Sequence, residues 1–164
     1  MSHAFRMTME SMRVRPDWDT YFIDIAHVVS RRSNCLRRQV AAVVVRDRRI
    51  ISTGYNGTPR GIRNCIDGGC PRCAGGSASG ENLGECICSH AEENAIVQAA
   101  FHGISILGGT LYCTLSPCLL CCKMIINAGV TEVVFEQEYQ FSRQARGMLH
   151  EADILCRQFI RSAQ

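Results

Sequence analysis

In the stretch "HAEENA" an imidazole, His90, stands two residues before a carboxyl, Glu92. Further along, "SPCLLC" sets two thiols, Cys118 and Cys121, at C-x-x-C spacing behind Pro117. One neutral imidazole and two thiolates are a three-ligand set for zinc that leaves a fourth position to water. Zinc lowers the pKa of such a water from ~15.7 to about 7, so hydroxide becomes available near neutrality. Glu92 can approach the same site without ligating. There it can take a proton from that water and later protonate a leaving group. The chemistry such a set supports is hydrolytic: attack of hydroxide on an electrophilic carbon, with departure of a protonated leaving group. A purely structural zinc on the same three ligands would leave Glu92 and Pro117 without a role.

A second group of thiols precedes this motif: Cys65, Cys70, Cys73, Cys86 and Cys88. They lie in a stretch, Asn56 to Ser89, dominated by Gly, Pro, Ser, Asn and Cys, with "GGCPRCAGGSASGENLGE" at its centre. A loop of that length in a compact domain needs something to organise it, and a bound ion can replace a missing apolar core. The chain has eleven cysteines but no apolar leader of the signal-peptide kind, so a reducing, cytoplasmic setting is the expectation. There, clustered thiols more often bind metal than each other. Cys113 and Cys156 fall in apparent strands and read as small buried hydrophobes, while Cys122 falls outside the C-x-x-C spacing.

Positioning elements can be read from periodicity. Asp17 suits a helix N-cap, with Trp18, Phe22, Ile25 and Val29 recurring at helical spacing behind it. "QVAAVVV" and "IISTGY", separated by "RDRR", form a hairpin. Helices are expected over 90–102, 118–128 and 143–151, and strands over 110–115, 131–136 and 154–159. Strands alternating with helices after a hairpin imply a mixed sheet covered on both faces. Residues 1–15 show no periodicity and read as a flexible tail, leaving 16–164 as one domain with a Cys-rich insertion at about 58–88.

The net charge of +3 is too small to argue for nucleic acid, and no apolar run reaches the ~20 residues of a membrane span. Neither nucleic acid nor membrane is therefore an expected partner. Arg31, Arg32, Arg37 and Arg38 make either a solvated basic face or a contact for a phosphorylated ligand.

H-x-E followed by P-C-x-x-C is the signature of zinc-dependent nucleobase deaminases. Together with "SNCLRRQVAAVVV", "STGYNGTPRG", "HAEENAI", "LYCTLSPCLLCCKMIINAG" and "EVVFEQEY", in that order, it makes the chain resemble the deoxycytidylate (dCMP) deaminase family of the cytidine deaminase superfamily. The resemblance covers nearly everything after the tail. It implies a three-layer α/β/α sandwich around a mixed five-stranded sheet, and hydrolysis of dCMP to dUMP and ammonia. His90, Cys118 and Cys121 would hold the catalytic zinc, with Glu92 as proton shuttle. Asn56 and Ala91 would contact the nucleotide, and Tyr139 its phosphate side.

It further implies a hexamer, with dCTP as activator and dTTP as inhibitor at a separate site. Tyr55, Asn56 and Gly57 would serve that site, with Mg²⁺ accompanying the triphosphate. Some relatives carry a second, non-catalytic zinc. Cys35 and Cys65 match two of its ligand positions, and Cys70, Cys73, Cys86 and Cys88 bring the thiols to six. One structural zinc on four of the six is the expectation; two ions sharing thiolates, or free thiols, are the alternatives. Other readings of the chain are a deaminase of dCTP, of 5-substituted dCMP or of a free nucleoside, a nucleic-acid editing deaminase, and a non-catalytic zinc module. An editing enzyme should show a basic track with exposed aromatics. A binding module has no use for Glu92.

Overall fold

The computed structural model describes residues 15–78, 80–139 and 142–161, so the expected tail lies, apart from Arg15, outside the described residues. Five strands, β1 (Ala41–Arg46), β2 (Arg49–Tyr55), β3 (Thr110–Leu115), β4 (Glu132–Gln137) and β5 (Leu155–Gln158), form one sheet in the order β2-β1-β3-β4-β5. β1 runs antiparallel to β2 and β3, whereas β3, β4 and β5 are parallel. The helices are α1 (Trp18–Ser30), α2 (Pro71–Ala74), α3 (Ala91–Phe101), α4 (Leu119–Asn127) and α5 (Ser142–Glu151). This is the mixed five-stranded α/β/α sandwich that the sequence implies.

Strand alternation divides the core. Val43 and Val45 of β1 face one way, onto Phe22, Ile23 and Ala26 of α1. Ala42 and Val44 face the other way, onto Ala91, Ala95 and Ala99 of α3, in a cluster that continues through Leu111, Ile125, Val133, Phe135 and Leu149. Cys113 and Cys122 are fully buried in that second cluster and Cys156 packs against it, so all three serve as apolar filler. Trp18 and Phe101, although large aromatics, lie largely outside the core. Trp18 is 36% exposed with Arg15 and Arg48 over its ring, and Phe101 is 68% exposed beneath Arg60. Among the described residues no helix is long and apolar enough to cross a membrane.

The start of α1 is fixed by Asp17, whose Oδ1 accepts the Thr20 N–H at 2.8 Å. Asp19, one residue into the helix, ties it to the sheet. Arg157 of β5 donates to both Asp19 carboxylate oxygens (2.6 and 3.0 Å), and the Tyr112 hydroxyl donates to Oδ1 at 3.0 Å. Arg157 also reaches Glu132 of β4 at 2.8 Å. The Arg157 guanidinium, assisted by Tyr112, holds the Asp19 carboxyl below its ordinary value despite partial burial. A depressed carboxyl contributes stability above its unfolded pKa of ~3.9 and loses it as pH falls through the folded value. Asp19→Asn is thus expected to cost about 1 kcal/mol at pH 7, modest because the guanidinium is partly exposed. Urea unfolding at pH 7 and pH 3 checks this: the gap between variant and parent should shrink at the lower pH.

Candidate functional site

His90 and Cys118 are the N-caps of α3 and α4, rather than helical residues as the periodicity implies. Both have extended backbone (φ −77, ψ 161 and φ −77, ψ 170), which turns each side chain off its helix axis and towards the other. Pro117 precedes the cap and is buried. His90 Nδ1 lies 3.3 Å from Cys118 Sγ and 3.4 Å from Cys121 Sγ, and the three ligand atoms lie within 4.8 Å of one another. Tetrahedral zinc with ~2.0 Å Zn–N and ~2.3 Å Zn–S bonds separates such atoms by about 3.5 Å. The donor set and its spacing therefore fit the ion. The parallel crossover β3–α4–β4 presents Cys118 at the carboxyl end of β3. Ser116, between them, donates its N–H to Gln137 O at 2.8 Å and so locks the turn to β4.

The electrostatics follow from this geometry. The Cys121 thiol, and next the His90 ring, hold Cys118 down to about 4 against the upward push of burial. Cys121 is pushed up in return, by its hydrogen bond with Cys118 and by burial, so the two sulfurs share one negative charge. A divalent cation bound by both displaces the remaining proton. The Cys118 sulfur raises His90 to about 9. Glu92 is only 4% exposed, and desolvation pushes its carboxyl up to about 7, the range in which one group can both accept and donate a proton at neutral pH.

Strand β2 positions α3. Ser52 Oγ donates to Ala95 O at 2.7 Å, and Asn94 Nδ2 donates to Tyr55 O at 2.7 Å. Gly54 lets the helix backbone approach closely, because a Cβ there would run into Ala91 O and Ala95 N. Beyond β2, Gly57 and Ser89 exchange backbone hydrogen bonds (3.2 and 2.9 Å), closing the ends of the long loop next to His90. Ala91 is fully buried at the first position of α3. Asn56 Oδ1 accepts from Ser33 Oγ (2.7 Å) and Val40 N (2.9 Å), and its Nδ2 donates to Arg38 O (2.9 Å). The Asn56 side chain thus braces the 33–40 segment. Tyr55 and Gly57, by contrast, line a separate cavity of about 670 Å³ that also includes Arg60, Asn64, Asn94 and Phe101.

Tyr139 donates its backbone N–H to Ser116 Oγ at 2.8 Å and carries the Arg38 guanidinium over its ring at 5.3 Å. Next to it, a cavity of about 410 Å³ is bounded by His27, Arg38, Gln39, Val40, Thr114, Leu115, Gln137 and Glu138. His27, within α1, places its Nε2 2.6 Å from Glu136 Oε2 of β4, and no local spacing in the sequence connects residues so far apart in the chain.

The loop thiols converge as a group. Cys35, Cys65, Cys73 and Cys88 form one set of sulfurs within 4.8 Å of one another, and Cys70, Cys73, Cys86 and Cys88 form a second. All six expected positions are therefore together, in two overlapping sets of four.

The cytidine and deoxycytidylate deaminase zinc-binding region matches residues 16–137. The deoxycytidylate deaminase of Schizosaccharomyces pombe is 45% identical over 148 residues, which is 90% of this chain and 46% of that protein. The chain therefore spans about half the length of that relative. The deoxycytidylate deaminase of Mycobacterium phage D29 is 41% identical over 76% of this chain and 98% of its own. Among solved structures, the dCMP deaminase of cyanophage S-TIM5, in complex with dCMP and dUMP, superposes with a TM-score of 0.75 at 34% identity, covering 89% of this chain and 99% of that one. With the family region running from the start of α1 to the end of β4, and relatives at these identities, the chain belongs to the deoxycytidylate deaminase family of the cytidine deaminase superfamily.

Proposed function

We propose that the chain is a zinc-dependent deaminase that hydrolyses dCMP to dUMP and ammonia in pyrimidine deoxynucleotide metabolism, in the cytoplasm. The observation that carries this reading is the convergence of His90, Cys118 and Cys121 at two helix N-termini beside a buried Glu92. A zinc ion held by those three side chains would supply a water acidic enough to ionise near neutral pH. The chain's own residues do the rest. Glu92 takes the proton of the attacking water, delivers it to the ring nitrogen next to the amine-bearing carbon, then takes the remaining proton from the added hydroxyl and passes it to the leaving amine as the C=O bond forms. Hydroxide adds at the carbon, the C–N bond breaks, and ammonia departs. In the metal-free protein burial pushes the Glu92 carboxyl up to about 7, a raised proton affinity that favours a group able to take up a proton before handing one on.

Ala91, at the first turn of α3, and Tyr139, under Arg38, are the substrate contacts in this reading. Arg38 in the 410 Å³ cavity offers positive charge for a 5′-phosphate. Asn56 acts through its bracing of the 33–40 segment, which carries Arg38. The finer parts of the reading are a homo-hexamer and regulation by dCTP and dTTP, with Mg²⁺ on the triphosphate. The exposed apolar side chains of α3, Val97 and Phe101, favour packing against another subunit. The cavity lined by Tyr55, Gly57 and Arg60 has the size and polarity for a regulatory nucleotide.

The test is ammonia release on a panel of dCMP, dCTP, CMP, deoxycytidine and single-stranded DNA, each with and without added dCTP and Mg²⁺. The expected result is turnover of dCMP, increased by dCTP. Turnover of another member alone would overturn the substrate assignment, and silence from zinc-loaded protein would overturn the activity.

A further inference from the structure

The buried core of the 56–90 loop consists of cysteines: Cys65, Cys70 and Cys88 inside, with Cys35, Cys73 and Cys86 packed against them. The loop's aliphatic residues do the opposite, since Ile62, Ile66, Leu83 and Ile87 are 50%, 56%, 51% and 39% exposed. A segment whose apolar side chains face water and whose thiols face inward is not held by hydrophobic burial. We propose that the six thiols bind two zinc ions in a single binuclear cluster, with Cys73 and Cys88 as bridging ligands. Cys35 and Cys65 complete one tetrahedron, and Cys70 and Cys86 complete the other.

The overlap of the two four-thiol sets carries the argument. Each set has all its sulfurs within 4.8 Å of one another, and both contain Cys73 and Cys88. Two tetrahedra that share two corners share an edge, which is the geometry of two ions bridged by two thiolates. A tetrahedron of ~2.3 Å Zn–S bonds has edges of about 3.8 Å. The Cys70 and Cys86 sulfurs lie 3.9 Å apart, far beyond the ~2.05 Å of a disulfide.

A single ion accounts for the arrangement less well. It would occupy one set and leave a pair, either Cys35 and Cys65 or Cys70 and Cys86, as thiols at ligand distance from two metal-bound sulfurs. Bound thiolates keep lone pairs for a second ion, and the remaining pair supplies the other two ligands. Six thiolates around two divalent ions carry the same net charge as four around one, so the second ion adds no buried charge. Arg72, buried next to Cys73 in α2, makes no ion pair among the described residues, and it sets a positive charge in the loop that holds the anionic cluster. Its Nε donates to Glu81 O at 2.7 Å, which fastens the far side of the loop. Because Cys88 lies two residues before His90, the bridge also anchors the approach to α3.

The experiment is metal quantitation on the full chain together with cadmium NMR of the cadmium-substituted protein. Three zinc ions per chain are expected, one at His90, Cys118 and Cys121 and two in the cluster. Two cadmium resonances split by each other through the shared sulfurs should appear, apart from the resonance of the site with a nitrogen ligand. X-ray absorption should give a metal–metal distance of about 2.7 Å for regular edge-sharing tetrahedra of ~2.3 Å bonds, lengthened towards about 3 Å by repulsion between the ions. Cys86→Ser should lower the count from three to two with the helices intact by circular dichroism.

Two ions per chain without cadmium–cadmium splitting would overturn the proposal in favour of a mononuclear site. One ion, with six thiols reactive to a thiol reagent, would overturn it in favour of free cysteines. These arms are read on the parent protein, so a Cys86→Ser chain that failed to fold would not protect the proposal. The splitting belongs to the cluster alone. A split pair with the nitrogen-ligated resonance missing would uphold the cluster and count only against the deaminase site.

Discussion

Replacing Glu92 by Gln is expected to lower kcat for dCMP by about 10³-fold or more, with zinc content unchanged. Positioned proton transfer contributes roughly 10² to 10⁴ in rate, and Glu92 is assigned more than one transfer, which places the effect in the upper part of that range. Gln preserves the volume of a side chain that is 4% exposed, so packing around His90 and Cys121 should survive. Steady-state kinetics with zinc quantitation on the same preparation decides it. Turnover within tenfold of the parent would remove Glu92 from the chemistry.

The substitution also has a signature in stability. Burial raises the Glu92 carboxyl to about 7, above the ordinary carboxylate value. A raised carboxyl favours the folded state fully below its unfolded pKa, and that advantage disappears as pH rises to the folded value. Gln has no charge to bury. In the zinc-free protein, then, the variant should gain stability over the parent between about pH 4.5 and 7, by up to roughly 3 kcal/mol. Denaturant unfolding at pH 4.5 and pH 8 reads the gain, which should be absent at the lower pH.

Gly54→Ala is expected to cost about 3 kcal/mol and to lower zinc retention at His90. The added Cβ would meet the Ala91 carbonyl oxygen and the Ala95 nitrogen, with Asn94 C at 2.9 Å. Overpacking costs typically about 1–3 kcal/mol, and here the atoms in the way are backbone, which cannot rotate aside. Nor can β2 withdraw. It is paired to β1 on one side and fastened to α3 through Ser52–Ala95 and Asn94–Tyr55. The strain would be relieved by moving the first turn of α3, which carries His90 and Glu92. Urea unfolding and zinc content per chain test it together, and parent-like values for both would show that the β2–α3 contact has slack.

Which parts of this site could be read in advance depends on how local the information is. His90, Glu92, Cys118 and Cys121 were visible because ligand spacing at a helix start is set by a few consecutive residues. Their exact caps were not: the periodicity placed His90 and Cys118 inside helices, whereas extended φ and ψ put both just outside. The identity of the six loop thiols was legible, yet their grouping was not. Which sulfurs come together depends on how a chain without periodic pattern folds back between Cys35 and Cys88, and no sequence rule orders such a loop.

Asn56 shows the same limit. The sequence offers a conspicuous amide in "GYNG", and only the fold shows that its oxygen and one amide hydrogen brace the 33–40 segment. The contact between His27 and Glu136 had no local signal at all, because it joins α1 to the far end of β4.

By itself the sequence determined the element order, the hydrophobic faces of the strands and helices, the His/Cys/Cys triad with its carboxyl, and a cysteine-rich loop without periodic pattern. These follow from period, spacing and side-chain chemistry within short windows. The tertiary structure alone decided what depends on distant segments meeting. It brought α3 and α4 side by side so that three ligands converge, and it placed Gly54 where helix backbone must pass. It also buried Glu92 deeply enough to move its proton affinity, and folded six thiols into two overlapping groups of four. Each is a relation between residues far apart in the chain, fixed by packing rather than by any neighbour in sequence.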